Sequence, residues 1–181
     1  MKPVAIVTGG ARGIGRACAL ALAERGFDLA LVDLREPEMA STQSELESLG
    51  SSVLTFAADV SDYTRAHEIV ETIHHTWKRI DVLVNNAGGP NPKGILEISE
   101  QEFDRTISVN LKSCFNYIHA IAPIMLKQEQ GGRIVSMSSL NALSGGVTSA
   151  VSKHSYAAAK AGILGLTRSL AKELGPKIAI N

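Results

Sequence analysis

Unbroken apolar runs, set between helical patterns, constrain this chain more than any other feature. Residues 4–7, 29–32, 53–57, 82–84 and 134–137 are hydrophobic without alternation, which marks strands covered on both faces. Ile14, Cys18 and Leu22 recur every four residues, and segment 63–77 carries Ile69, Val70 and Ile73. Both segments therefore read as helices that bury one face. Strand then helix, repeated, gives an α/β fold: a doubly wound parallel sheet with helices on both faces. Ligands of such sheets bind outside the carboxyl ends of the strands, where the strand order reverses. Ser99 and Glu102 form a capping box ahead of Phe103 and Ile107, and Gly131-Gly132 ends the long helix before the fifth strand. With 181 residues and no linker or repeat, the chain reads as a single domain over 1–181 with a sizeable core of its own.

Charge excludes one class of partner. Eighteen basic residues balance eighteen acidic ones, and no basic run exceeds two residues, so no nucleic acid is expected. No stretch approaches the roughly 20 apolar residues that span a bilayer, and residues 1–3 lead straight into the first apolar run, so no membrane is expected and the expected location is cytoplasmic. Cys18 and Cys114 lie in apolar helical patterns and read as reduced core residues. His67, His74, His75, His119 and His154 show no metal-ligand spacing, so no metal is expected. The first three belong to a charged helix and read as a solvated face, whereas His154, two residues before Tyr156, could touch a substrate. Trp77 reads as packing at a helix end. The serine-rich segment 144–155 lacks a Gly-x-Ser-x-Gly elbow, which leaves an acyl-transfer hydrolase without a nucleophile.

The first strand runs into Thr8-Gly9-Gly10-Ala11-Arg12-Gly13-Ile14-Gly15 and then a helix. Glycines there let the backbone turn sharply and approach a pyrophosphate, whose charge suits the unpaired N–H groups of the helix start. The second strand ends at Asp33, eighteen residues beyond Gly15, where a carboxylate can accept hydrogen bonds from both ribose hydroxyls of an adenosine. Asp33 would repel a 2′-phosphate, which favours NAD over NADP; Arg12 and Arg35 could instead pair with that phosphate.

With these residues in place the sequence resembles the short-chain dehydrogenase/reductase family over nearly its whole length. Four motifs carry the resemblance: the glycine turn at 8–15, Asn85-Asn86-Ala87-Gly88, Val109-Asn110-Leu111 and Tyr156-x-x-x-Lys160. It implies a Rossmann-like fold, NAD or NADP as cofactor, and hydride exchange between a nicotinamide and a small-molecule alcohol or ketone. Gly9, Arg12, Gly13, Ile14, Gly15, Asp33, Asp59, Val60, Asn86, Ala87, Gly88, Tyr156 and Lys160 would bind the cofactor, with Asp59 facing the adenine amino group. Asn110, Ser139, Tyr156 and Lys160 would be catalytic. Tyr156 and Lys160, four apart in a helical stretch, share one face, so the ammonium could favour the phenolate. Asn110 would bend the long helix and hold a water linked to Lys160. Alternate residues of a strand face opposite ways, so only one of Ser138 and Ser139 can face the nicotinamide; the resemblance points to Ser139, which matches the second serine of the family's pair.

Two departures from the family pattern stand out. Ser139 and Tyr156 lie seventeen residues apart, which implies a longer loop through 145–152, and the chain ends as a sixth strand begins, short of the family's usual length. Within the family the sequence is similar to 3-oxoacyl-acyl-carrier-protein reductases, usually NADPH-dependent, and to sugar or polyol dehydrogenases. The short C-terminus leaves open a second class, a nucleotide-binding protein without catalysis. Helix 156–174 is apolar on more than one face and, with helix 103–126, would form the family's interface in a homodimer or homotetramer.

Overall fold

The five expected strands and a sixth form one parallel sheet in the order β3-β2-β1-β4-β5-β6. The structure is a computed structural model that describes residues 1–146 and 152–181. The strands are β1 (Val4–Thr8), β2 (Asp28–Asp33), β3 (Val53–Ala57), β4 (Val82–Asn85), β5 (Gly132–Ser136) and β6 (Ile178–Ile180). Helices α1 (Gly13–Ala23), α2 (Glu36–Ser48), α3 (Tyr63–Trp77), α4 (Glu100–Ile107), α5 (Ser113–Lys127), α6 (Asn141–Ser144) and α7 (His154–Leu174) connect them. Every neighbouring pair of strands is parallel. The order reverses between β1 and β4, so the chain runs outward from the middle twice and leaves a crevice at the carboxyl ends of those two strands.

Two cores sandwich the sheet. On one face Ala5, Val7, Leu29 and Leu31 pack with Ala19, Met39 and Leu46 from α1 and α2. The opposite face joins Ile6, Leu83 and Ile134 to Ile69 and Ile73 of α3, Tyr117 and Ile121 of α5, and Ile163 of α7. Trp77 packs against this second core at the end of α3, as expected. Cys114 is buried and Cys18 half-buried, both as free thiols.

The helices depart from the sequence pattern at three points. The long helix is interrupted: α4 passes into a π-helical turn over Ser108–Lys112 before α5 begins. The glycine pair does not end α5. Its last residue is Lys127, after which Gln128 turns extended, and the Gln128 side chain accepts from the Ile80 N–H and donates to the Ile80 and Gly131 carbonyls. Helix α2 has no counterpart in the apolar pattern because only Met39, Thr42 and Leu46 face inward from an otherwise polar segment. The capping box forms as expected, with Ser99 accepting from the Glu102 N–H and Glu102 reaching back to Ser99.

Leu83 is fully buried on the central strand β4, between Ile6 of β1 and Ile134 of β5. Leu83→Ala should lower unfolding free energy by about 2–5 kcal/mol through the cavity it leaves. The measurement is the urea midpoint, with the denaturant slope unchanged.

Candidate functional site

A cleft of about 770 Å³ opens at the reversal point of the sheet. Its floor is the glycine turn. Gly9 and Gly13 hold φ of +65° and +57°, a region that side chains with a Cβ avoid. A Cβ on Gly9 would sit 2.8 Å from the Asn86 amide nitrogen, and one on Gly15 would collide with the Gly9 carbonyl oxygen. The turn is thus folded on itself too tightly for side chains. Helix α1 then starts without a capping side chain: Arg12 is extended at its N-cap and makes no cap hydrogen bond, and its first turn holds no acidic residue. The first N–H groups of that turn are thus left without a side-chain cap.

Thr8 joins the two halves of the sheet. Its hydroxyl donates to the Val84 carbonyl (3.4 Å) and accepts the N–H groups of Asn86 and Ala87, both at 3.1 Å. Asn86 answers by donating its side-chain amide to the Thr8 and Gly9 carbonyls. Beneath the turn, the buried Thr42 hydroxyl of α2 donates to the Ala11 carbonyl at 2.9 Å. Sequence reasoning missed Thr42, since the helix that carries it was itself invisible.

At the end of β2 the Asp33 carboxylate is oriented by two main-chain donors, Ala11 N–H and Arg35 N–H, each at 3.1 Å. Each oxygen retains a lone pair for a hydroxyl. The Arg35 guanidinium pairs with Glu38 at 3.3 Å. Beside it, after β3, Asp59 is held by side chains and backbone of this chain. One carboxylate oxygen accepts from the Ser61 N–H and hydroxyl at 2.9 and 2.7 Å, and the other pairs with Arg105 of α4 at 2.7 Å. Burial opposes its ionisation, but the Ser61 hydrogen bonds and the Arg105 guanidinium prevail and hold the carboxyl below the usual range. Arg105 also lines the cleft, and no motif announced it.

The expected binding residues fall into two groups. Gly9, Arg12, Gly13, Ile14, Asp33, Asp59, Val60, Asn86, Ala87 and Gly88 line the cleft. Gly15 lies buried beneath it, while Tyr156 and Lys160 stand on α7, outside that lining.

Around α7 the structure gathers a second cluster. The Lys160 side chain is buried, with the residue 4% exposed, and its Nζ donates to the Met137 carbonyl at 2.6 Å. It also lies 5.8 Å from the centroid of the Tyr156 ring. Burial pushes the Lys160 pKa down, an effect that Cys114 partly offsets. Asn110, in the π turn and fully buried, accepts the Gly89 N–H at 3.1 Å and donates to the Gly89 and Thr106 carbonyls. A Cβ on Gly88 would meet Asn110 Oδ1 at 2.6 Å and Lys160 Nζ at 3.5 Å. Gly88 is therefore where the two groups touch.

Hydrogen bonding, rather than strand alternation, separates Ser138 from Ser139, because β5 ends at Ser136. The Ser138 hydroxyl donates to the Lys160 carbonyl at 2.8 Å, whereas Ser139 accepts the Asn141 N–H at 3.2 Å within its own turn. Asn91, buried beside the cleft, donates to Thr106 and accepts the Lys153 N–H, so it links α4 to the start of α7. His154 has a buried Nε2. The proposed longer loop through 145–152 lies mostly outside the described residues. His67 does not stand on a plain solvated face as expected, since it meets His119 of α5. Among the described residues no group of three or more His, Cys, Asp or Glu is placed to hold a metal ion, and no helix is long and apolar enough to cross a membrane.

Known proteins share this architecture. The short chain dehydrogenase family model matches residues 3–181. The 3-oxoacyl-acyl-carrier-protein reductase of Thermotoga maritima is 37% identical over 179 residues, which cover 98% of this chain and 71% of that enzyme. The 2-dehydro-3-deoxy-D-gluconate 5-dehydrogenase of Dickeya dadantii is 34% identical over 94% of this chain and 65% of its own length. Among solved structures, carveol dehydrogenase from Mycobacterium avium in complex with NAD superposes with a TM-score of 0.90 at 30% identity, covering 99% of this chain and 68% of that one.

Arg105→Ala should raise the Asp59 pKa toward its unfolded value, read as a shifted carboxyl titration by NMR. Because the folded value is depressed, the stability contributed by Asp59 is present above the unfolded pKa and lost as pH falls through the folded one. The variant should therefore show a weaker loss of stability on acidification across that window.

Proposed function

Because the chain belongs to the short-chain dehydrogenase family, we propose that it transfers a hydride between a nicotinamide dinucleotide and a secondary alcohol or ketone, with Tyr156 as general acid/base. The observation that carries this reading is the buried Lys160 ammonium, anchored on the Met137 carbonyl beside the Tyr156 ring. That places a cation beside the side chain that would exchange the proton. In oxidation Tyr156 takes the proton of the substrate hydroxyl, and in reduction it returns that proton to the oxygen. Ser139 donates a hydrogen bond to the same oxygen as charge develops. Asn110 holds the π turn against Gly89 and, by family likeness, a water that connects Lys160 to solvent.

The residues of the cleft fit a dinucleotide. The uncapped start of α1 and the crowded glycines suit a pyrophosphate, and Asp33 suits the adenosine ribose. When bound, the nicotinamide supplies or accepts the hydride. The reading of a nucleotide-binding chain without catalysis finds no support, since the relatives carry the names of reductases and dehydrogenases. A homodimer or homotetramer is proposed through the apolar groove between α5 and α7, formed by Leu111, Phe115, Gly162, Gly165 and Leu166. A cytoplasmic location belongs to the same proposal.

Tyr156→Phe should lower kcat by about 10²- to 10⁴-fold on any alcohol or ketone the parent turns over. Its dinucleotide Kd should stay within a few-fold of the parent's. Full turnover by the variant would overturn the assignment.

NAD is proposed over NADP because Asp33 places a fixed negative charge where a 2′-phosphate would lie, while Arg35 is engaged by Glu38. The competing reading, an NADPH-dependent 3-oxoacyl-acyl-carrier-protein reductase, draws on the identity to the Thermotoga enzyme. Titration should show NADH binding at least tenfold tighter than NADPH, with the gap closing in Asp33→Ala. Tighter NADPH binding by the parent would assign the pocket to Arg12 and favour the competing reading.

A further inference from the structure

The helix that carries Tyr156 meets one short loop at two points. That loop, residues 88–91, follows β4: Gly88, Gly89 and Pro90 line the cleft, and Asn91 lines a smaller hollow beside α4. At its first residue, the space a Cβ on Gly88 would take is bounded by Lys160 Nζ and Asn110 Oδ1. At its last, the Asn91 carbonyl accepts the N–H of Lys153, the residue before α7, at 2.9 Å. Tyr156 lies between those two contacts along the chain. The loop is itself held from α4 and the π turn. Asn110 bonds both main-chain groups of Gly89, and Thr106 Oγ accepts from Asn91 Nδ2 at 2.9 Å. Asn110 also donates to the Thr106 carbonyl at 2.9 Å, so the two holding residues are tied to each other.

We propose that Asn91 is a positioning residue for the proposed reaction, holding its loop on Thr106 and thereby setting where the start of α7, with Tyr156, stands against the cleft. The inference rests on the assignment of Tyr156 as general acid/base. The Asn91 side chain is engaged within the protein. Its amide nitrogen points to Thr106 Oγ and, at 3.5 Å, to the Glu102 carbonyl, and its oxygen accepts the Lys93 N–H at 3.0 Å. Thr106 is committed too, since its hydroxyl donates to the Glu102 carbonyl at 2.7 Å. Both residues are buried. A side chain so engaged acts through what it holds, and what Asn91 holds is the carbonyl on which the chain enters α7. Misplacing a reacting group by about 1 Å costs about 10²-fold in rate.

The test labels the tyrosine rings with ¹³C and follows the Tyr156 resonance, assigned with Tyr156→Phe, as NAD⁺ is added. In the parent the resonance should move on binding. In Asn91→Ala, and in Thr106→Val, which keeps the shape of Thr106 without its oxygen, that movement should fall by at least half while the NAD⁺ Kd stays unchanged. In both, kcat on any alcohol or ketone the parent turns over should fall at least about tenfold. The double variant should be no worse than either single one, because both remove the same bond. Thr106→Ser keeps the oxygen and should behave as the parent does. The proposal is overturned if both variants match the parent in resonance and kcat, if NAD⁺ affinity falls in step with kcat, or if the two losses multiply in the double variant. A parent resonance that NAD⁺ leaves unmoved, or full turnover by Tyr156→Phe, would overturn the assignment of Tyr156 itself. An inactive Tyr156→Phe beside an unaffected Asn91→Ala would remove only the role given to Asn91.

Discussion

One hydroxyl group holds the cleft to its sheet. Thr8 ends β1 where the strand order reverses, and by bonding to Val84, Asn86 and Ala87 it fixes the loop after β4 against the loop after β1. Both loops line the same crevice. Parallel strands on either side of a reversal diverge into separate crossovers, and here the Thr8 hydroxyl, with the Asn86 amide, ties the two loops together beyond their strand ladder. Each further contact in the crevice inherits its position from that anchor: Asn86 on the Gly9 carbonyl, Gly88 against Asn110, and Gly88 against Lys160.

The crevice is asymmetric in its electrostatics. Its glycine floor offers N–H groups and a helix start with no acidic residue in its first turn. Its far wall carries Asp33 and Asp59, each held by donors from its own surroundings. On the proposed function, a ligand whose anionic centre and neutral hydroxyls lie in that order would match the surface better than one matched in net charge alone. The pairs Arg35–Glu38 and Arg105–Asp59 restrain cations that would otherwise compete for the same anion.

The sheet was legible because a strand covered on both faces must be apolar at every position, and β1 and β2 are buried along nearly their whole length. Helix α2 was not, since three inward residues in thirteen leave no stripe to read. The glycine turn and the Tyr156–Lys160 pair were legible as local spacings. Arg105 on Asp59 and His119 on His67 were hidden, because each joins positions about fifty residues apart that only the folded sheet brings together. The choice of Ser139 over Ser138 rested on likeness to the family's serine pair, and the pleat invoked to set the two apart stops at Ser136. Their roles are decided by what α7 and the following turn offer them.

The π turn at Ser108–Lys112 has a consequence for how the sequence can vary. One residue advances an α-helix by about 100°, so the wider turn rephases α5 relative to α4. The same rod thereby presents Arg105 and Val109 to the crevice and, beyond the turn, Ile118 and Ile121 to the core. Single-residue deletions in helices are usually repaired by fraying at an end. Here the rod is pinned at both ends, by the Ser99 cap and by Gln128. The length of this stretch is therefore fixed to the residue.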